Sequence, residues 1–194
     1  MLETLLTGTN PFDSAVMAFI QEHLRSAVGD AVFPYITYLG EAGVFWLAVS
    51  LVFFLRRKTR LTGVVMVCAV AFGFLFGEVL VKNVVCRPRP FHQFPDAVAL
   101  LVPAPHGFSF PSGHSCCSFT AATGLFLGSR KWGVPALILA ALIAFSRVYL
   151  FVHWPTDVLT GILLGVASAL LMHFLLPRLT RNVNFLHPTA RNEE

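Results

Sequence analysis

Long apolar runs separated by short basic clusters constrain this chain more than any other feature. A spanning helix needs roughly 20 predominantly apolar residues. Five stretches meet or approach that length: about Ile36 to Leu55, Leu61 to Val81, about Ser112 to Leu127, Trp132 to about Phe145 or Leu150, and Val158 to Leu176. Charged residues make up only 12% of the 194, and the mean hydropathy is +0.71. A soluble domain of this size is nearer about 25% charged, so most of the surface is expected to face lipid. The length fits one domain. The expectation is an all-α integral membrane protein, a bundle of five to six transmembrane helices.

The stretch Pro11 to Val28 mixes Phe12, Val16, Phe19, Ile20 and Leu24 with Asp13, Gln21, Glu22, His23 and Arg25. Its apolar residues recur at three- and four-residue intervals. That pattern predicts an amphipathic helix lying in the membrane interface, with a poor sixth span as the alternative. Met1 to Asn10 has no basic residue and no continuous apolar core, unlike a cleaved signal peptide. The expected organisation is an N-terminal interfacial helix over residues 1–30, a transmembrane core over 31–177 and a polar cytoplasmic tail over 178–194.

The net charge of +4 does not describe a nucleic-acid surface, because the basic residues sit in short clusters between apolar runs. Arg56, Arg57, Lys58 and Arg60 separate the first two runs. Arg130 and Lys131 separate the third and fourth, and Arg178, Arg181 and Arg191 follow the fifth. If the spans alternate, all three clusters fall on one side, which is then cytoplasmic. Lys82, Arg87, Arg89 and Arg147 fall on the other side and break that bias. Anion binding accounts for them.

Three short stretches meet on this outer face. In the first, Lys82 ends a span, and Pro88 and Pro90 force extended backbone around Arg87 and Arg89. Arg grips phosphate in a bidentate fork, and Lys adds a point charge. In the second, Pro111-Ser112-Gly113-His114 opens a span. Ser112 is a candidate helix cap, Gly113 lets an anion approach the backbone, and the free N–H groups of a helix start favour phosphate. His114 is placed to protonate a leaving oxygen. In the third, Asp157 follows His153 by four residues, with Pro155 as the expected first residue of the last span. Asp157 is expected to accept a hydrogen bond from one ring nitrogen of His153 and leave the other free as a nucleophile. No carboxylate cluster suggests a metal, and the four cysteines lack metal-ligand spacing. The chemistry implied is metal-free phosphoryl transfer through a phosphohistidine, with no cofactor.

These three stretches resemble the signature motifs of the type 2 phosphatidic acid phosphatase family. Its pattern is a lysine, six residues and Arg-Pro; then Pro-Ser-Gly-His; then Ser-Arg, five residues, His, three residues and Asp. Here the motifs read Lys82 to Arg89-Pro90, Pro111 to His114, and Ser146-Arg147 to His153 to Asp157, in the family's order and with no position departing. The resemblance implies that Lys82, Arg89, Arg147, Ser112 and the backbone of Gly113 hold phosphate. It implies His153 as the nucleophile, His114 as proton donor and then activator of water, and Asp157 as the group that orients His153. It also implies a six-helix membrane enzyme without a metal.

The expected partners are a lipid phosphate substrate and membrane lipids. The expected site is the bacterial cytoplasmic membrane, with the active centre facing outward. Undecaprenyl diphosphate, phosphatidylglycerol phosphate and phosphatidic acid are the substrates in view. A non-hydrolytic anionic-lipid binder or transporter is the alternative, and a vanadium haloperoxidase, which shares the motifs, is disfavoured by the spans. Glu78, four residues before Lys82, reads as its ion-pair partner or as a tuning group. Arg87 fits either lipid headgroups or the pocket. The phenylalanine-rich loop Phe91 to Phe110 fits either lipid entry or simple packing, and His92 and His106 within it have no assigned role. Cys68, Cys116 and Cys117 read as small buried hydrophobes.

Overall fold

The computed structural model describes residues 9–183 and 185–186. Met1 to Gly8 of the stretch read as unlike a signal peptide, and most of the expected tail, Arg191 included, lie outside the described residues. Helix α1 runs Pro11–Phe19 and continues as a π-helical turn, Ile20–Leu24. Asn10 caps it by accepting from the Phe12 N–H at 2.9 Å. The predicted amphipathic helix to Val28 is therefore shorter. Arg25 is extended, and Ser26 caps a new helix, α2, Ala27–Tyr38. The apolar periodicity ran across this break because Ser26 accepts from Gly29 N, a local choice the pattern does not register.

The first apolar run is likewise broken. Helix α2 and α3, Val44–Leu55, are separated by a 3-10 turn at Glu41–Gly43, and the pair bends by 44°. Ala42 and Gly43 take left-handed backbone there, with φ of 48° and 68°. Left-handed backbone is costly for a residue with a Cβ, so surrounding packing must hold Ala42 in place. Helix α4, Arg60–Phe74, passes through a π-helical stretch, Leu75–Val81, into the short α5, Lys82–Val85. The one-turn α6, Pro90–Gln93, follows; then α7, Gly113–Gly128, α8, Arg130–Tyr149, and α9, Pro155–Leu179.

Among the described residues, three helical segments are long and apolar enough to cross a membrane: Arg57–Gln93, Arg130–Tyr149 and Pro155–Leu179. The bent α2–α3 pair makes a fourth if counted as one span. Large apolar side chains such as Leu51, Leu75, Leu163 and Phe174 are exposed, as a lipid-facing surface requires. Helix α7 differs. Its 16 residues reach about 24 Å, short of a hydrocarbon core of about 30 Å. Its buried face carries Ser115, Cys116, Ser118, Thr120, Ala121 and Ala122. It is the central helix of the bundle, enclosed by its neighbours.

Helix α9 lies flush against α7 because Gly161 and Gly165 face it. A Cβ there would stand 2.5 Å from the Ser112 carbonyl oxygen and 2.5 Å from that of Cys116. This contact brings the start of α9 beside the start of α7, where the Ser112 N–H donates to the Asp157 carbonyl at 3.0 Å. The basic clusters gather at the other end. Arg60 donates to the Phe185 carbonyl at 3.1 Å and lies over its ring, which sets Phe185 beside the α3–α4 turn. Two apolar clusters fill the bundle. Trp46, Met66, Ala140 and Ile143 occupy one, and Trp46 Nε1 donates to Ser118. Met17, Tyr149, Phe151 and Trp154 occupy the other, which supports the motif-bearing end.

Candidate active site

The three motif stretches converge at that end. Arg89 is nearly buried beyond α5, on the extended segment that Pro88 and Pro90 impose. Its guanidinium donates to three carbonyls: Gly107 at 3.0 Å, His106 at 3.1 Å and Val152 at 3.0 Å. Its Nη1 also lies 3.1 Å from His153 Nε2. His106 thus contributes its main chain to the site, and the His92 ring meets the Phe91 ring at a tilt of 58°. The Phe91–Phe110 loop packs against the bundle and borders the cavity. Phe91 is buried and Phe94 meets Trp154 edge-on, while Val102 to His106 border the cavity described below.

His153 sits between α8 and α9 and is 2% exposed. The turn that carries it is wound tightly. The Arg147 carbonyl accepts from both the Val152 and His153 N–H groups at 3.2 Å, and Phe151 is left-handed at φ 62°. Burial first, then the cations Arg89, Arg147 and Lys82, holds the His153 imidazole well below its ordinary range. The ring is neutral near pH 7, with a lone pair on one nitrogen.

Asp157 differs from the sequence expectation in one respect. Its Oδ2 is 3.6 Å from His153 Nδ1, too far for a hydrogen bond. That oxygen accepts instead from the Trp154 N–H at 2.9 Å, capping α9, and Oδ1 accepts from Arg87 at 2.7 Å. His153 Nδ1 is buried with no hydrogen-bond partner, as are Arg147 Nε and His114 Nε2. Buried polar groups are normally satisfied, so each of these three atoms calls for a partner such as water or a ligand.

Arg147 is 3% exposed and donates through Nη1 to Thr37 Oγ1 of α2 at 2.6 Å. His114 opens α7, with its Nε2 3.3 Å from Glu41 Oε2. Glu41 stands there because the α2–α3 chain breaks at that point. Ser112 is fully buried and caps α7, accepting weakly from the Ser115 N–H at 3.4 Å and sharing a hydroxyl hydrogen bond with Ser115 at 2.9 Å. Its cap role follows the sequence reading, but its hydroxyl does not border the cavity. At Gly113, a Cβ would come within 2.2 Å of Glu78 Oε1. The glycine thus leaves room for the Glu78 carboxylate. Glu78 pairs with Lys82 through both oxygens at 2.7 Å, the ion pair the four-residue spacing suggests.

Lys82, Arg89, Gly113, His114, Arg147 and His153 all border one cavity of about 910 Å³. Beyond the polar end it is walled by Leu47, Val67, Val70, Ala71 and Phe74 of α3 and α4. Three cations, two histidines and a helix start therefore sit at the head of an apolar chamber. Of the cysteines, Cys116 is buried and Cys117 half-buried beside this chamber, and Cys86 is exposed.

Sequence reasoning did not find Thr37, Glu41 or Asp13 as site residues. Thr37 is 110 residues from its partner Arg147, and nothing in a mostly apolar helix distinguishes one threonine as a contact. Arg87, left undecided by sequence, bonds Asp157, Thr156 and Asp13.

A buried histidine beside three cations at the head of an apolar chamber, set in a bundle with apolar outer faces, fits a membrane phosphohydrolase. The chain belongs to the PAP2 superfamily, whose family model matches residues 61–181. It is a phosphoric ester hydrolase, a lipid phosphatase of the membrane. It is 40% identical to the undecaprenyl-diphosphatase of Sulfolobus acidocaldarius over 121 residues, which cover 62% of this chain and 58% of that protein. It is 35% identical to the decaprenylphosphoryl-5-phosphoribose phosphatase of Mycobacterium tuberculosis over 153 residues, covering 78% and 83%. It also superposes on the crystal structure of a transmembrane PAP2-type phosphatidylglycerolphosphate phosphatase from Bacillus subtilis. The TM-score is 0.69 at 30% identity, covering 93% of this chain and 92% of that one.

Proposed function

We propose that this phosphatase removes phosphate from a lipid phosphate or diphosphate through a phosphohistidine formed on His153. The observation that carries this reading is the 3.1 Å approach of Arg89 Nη1 to His153 Nε2 at the head of an apolar chamber. A phosphoryl group gripped by Arg89 lies against the nucleophilic nitrogen, and the lipid chain extends among Leu47, Val67, Val70 and Phe74.

In the first step the Nε2 lone pair attacks phosphorus. The P–O bond to the leaving group breaks, its electron pair stays on the leaving oxygen, and His114 gives that oxygen a proton. Lys82, Arg89, Arg147 and the N–H groups at the start of α7 stabilise the charge gathering on the phosphoryl oxygens. In the second step His114 accepts a proton from water as the water oxygen attacks phosphorus. The P–N bond breaks, its electrons return to His153, and inorganic phosphate leaves. Asp157 faces the Nδ1 side of His153 and stabilises the positive charge that the ring gains in between.

The names of the relatives and the chamber's shape support a polyprenyl or glycerolipid substrate: undecaprenyl diphosphate, phosphatidylglycerol phosphate or phosphatidic acid. The break in the positive-inside pattern supports an active centre on the outer face of a bacterial cytoplasmic membrane, in a bundle of five to six spans. The test is phosphate release by purified protein in chelator from a panel of these three lipids. Turnover of at least one by wild type, with none by His153→Ala, is the expected result. Binding of all three with turnover of none would favour a lipid-binding protein instead.

A further inference from the structure

Asp13 is fully buried, yet it lies on the N-terminal helix, which the sequence suggests merely rests on the membrane. A carboxylate is costly to bury unless donors surround it. Here Oδ1 accepts from the Thr156 N–H at 2.8 Å, and Oδ2 accepts from the Thr156 hydroxyl at 2.7 Å and from Arg87 Nη2 at 2.6 Å. The Thr156 N–H belongs to the first turn of α9, where no intrahelical acceptor exists. Asp13 therefore caps α9 from another helix, 143 residues away.

Arg87 joins this cap to the catalytic group. Its Nη1 donates to Asp157 Oδ1 at 2.7 Å and to the Thr156 hydroxyl at 2.8 Å, while Nη2 holds Asp13. The guanidinium also lies 5.3 Å from the centre of the Trp154 ring, whose Nε1 donates to the Pro88 carbonyl at 3.1 Å. One Asp157 oxygen is thus tied to Arg87. The other remains for the Trp154 N–H and for the face of His153. With its charge balanced by two buried carboxylates, Arg87 is poorly suited to hold a third anion.

We propose that Arg87 and Asp13 are positioning residues. They form a clamp between the N-terminal helix and the start of α9, and it holds Asp157 in register with His153. This rests on the reading of His153 as nucleophile and Asp157 as its orienting group. Arg87 lies inside the first motif stretch but serves a different end from Arg89, two residues on. Arg89 holds the phosphoryl group, and Arg87 holds the residue behind the nucleophile.

The test is steady-state hydrolysis of dioctanoyl phosphatidic acid by full-length Arg87→Ala, Arg87→Lys and Asp13→Asn, each also in an Asp157→Asn background. Orthovanadate inhibition constants and thermal unfolding are measured for all. We expect Arg87→Ala and Asp13→Asn to lose about 10- to 100-fold in kcat, the range for a lost orienting contact. KM and the vanadate constant should stay within about threefold. Arg87→Lys should recover most of the loss, since it keeps one donor to each carboxylate. In the Asp157→Asn background the Arg87 and Asp13 changes should cost little further, because their effect runs through Asp157. Full additivity there would overturn the proposal. So would a tenfold weaker vanadate constant with kcat unchanged, which would make Arg87 a phosphate ligand. Lost activity that tracks lost folded protein, with kcat per vanadate-titrated site at the wild-type level, would make the clamp purely structural and likewise overturn it. His153→Ala in the same assay keeps the two ideas apart. Activity retained there sinks the nucleophile reading, whereas the Arg87 series bears on positioning alone.

Discussion

Arg89 and Arg87 stand two residues apart and occupy opposite kinds of environment. Arg89 is held by the carbonyls of His106, Gly107 and Val152, which are neutral. Arg147, which borders the same cavity, is likewise held by the Thr37 hydroxyl and keeps a buried Nε without a partner. Arg87 instead bridges two carboxylates at 2.6 and 2.7 Å. Neutral acceptors fix a guanidinium in space while leaving its charge uncompensated. Carboxylates fix it and cancel the charge. Under the proposed function, the first arrangement suits an incoming anion and the second builds the wall behind it. Motif position alone does not separate the two, but the identity of the acceptors does.

The largest effect that bears on this difference is expected at the group both arginines serve. His153→Ala should lower phosphate release by about 10⁴-fold or more, in line with loss of a nucleophile in other hydrolases. Residual turnover within tenfold of wild type would break the comparison at its centre. Next, Arg89→Ala and Arg147→Ala should each lose about 10²- to 10³-fold in kcat/KM, the usual cost of removing a donor to developing charge. Both should weaken vanadate inhibition, which Arg87→Ala should not. Equal vanadate constants for all three variants would erase the distinction drawn here.

Gly113→Ala should have a smaller effect, about tenfold in kcat/KM. The new methyl would meet Glu78 Oε1 and displace the carboxylate that holds Lys82. Restored activity in Gly113→Ala combined with Glu78→Ala would show that the glycine makes room for Glu78 rather than for substrate.

The smallest effect is on stability. His153 is held neutral well below its ordinary pKa, whereas in the unfolded chain it titrates near about 6.5. As pH falls below that value the unfolded state binds the extra proton and the folded state does not. Stability is thus lost on acidification, by up to about 1.4 kcal/mol per pH unit from this one group. Unfolding in detergent at pH 7.5 and 5.5 should show a smaller acid loss for His153→Gln than for wild type. An identical loss would mean His153 does not carry the linkage.

Most of the residues that gather around the cavity were legible from the chain because each motif is local. Three residues separate His153 from Asp157, and Ser112 and His114 share one helix start. Pro88 and Pro90 likewise make their own extended segment. The spans were visible as composition, but their ends were less so. The break at Ala42–Gly43 lies inside an apolar run, where hydropathy stays high while the backbone turns left-handed. The end of the amphipathic helix at Leu24 escaped for a similar reason.

What the sequence by itself determined is the kind of chemistry and its medium: a lipid phosphatase whose three motif stretches are carried by apolar helices. What only the tertiary structure decided is which partners those residues meet. The α7–α9 contact at Gly161 and Gly165 brings Ser112 against Asp157, and the α2–α3 break sets Glu41 beside His114. The buried carboxylate of Asp13 joins the first helix to the last. These pairings lie tens to more than a hundred residues apart. They arise from burial and packing, which favour donors and acceptors by position in space, and linear spacing carries no signal for that.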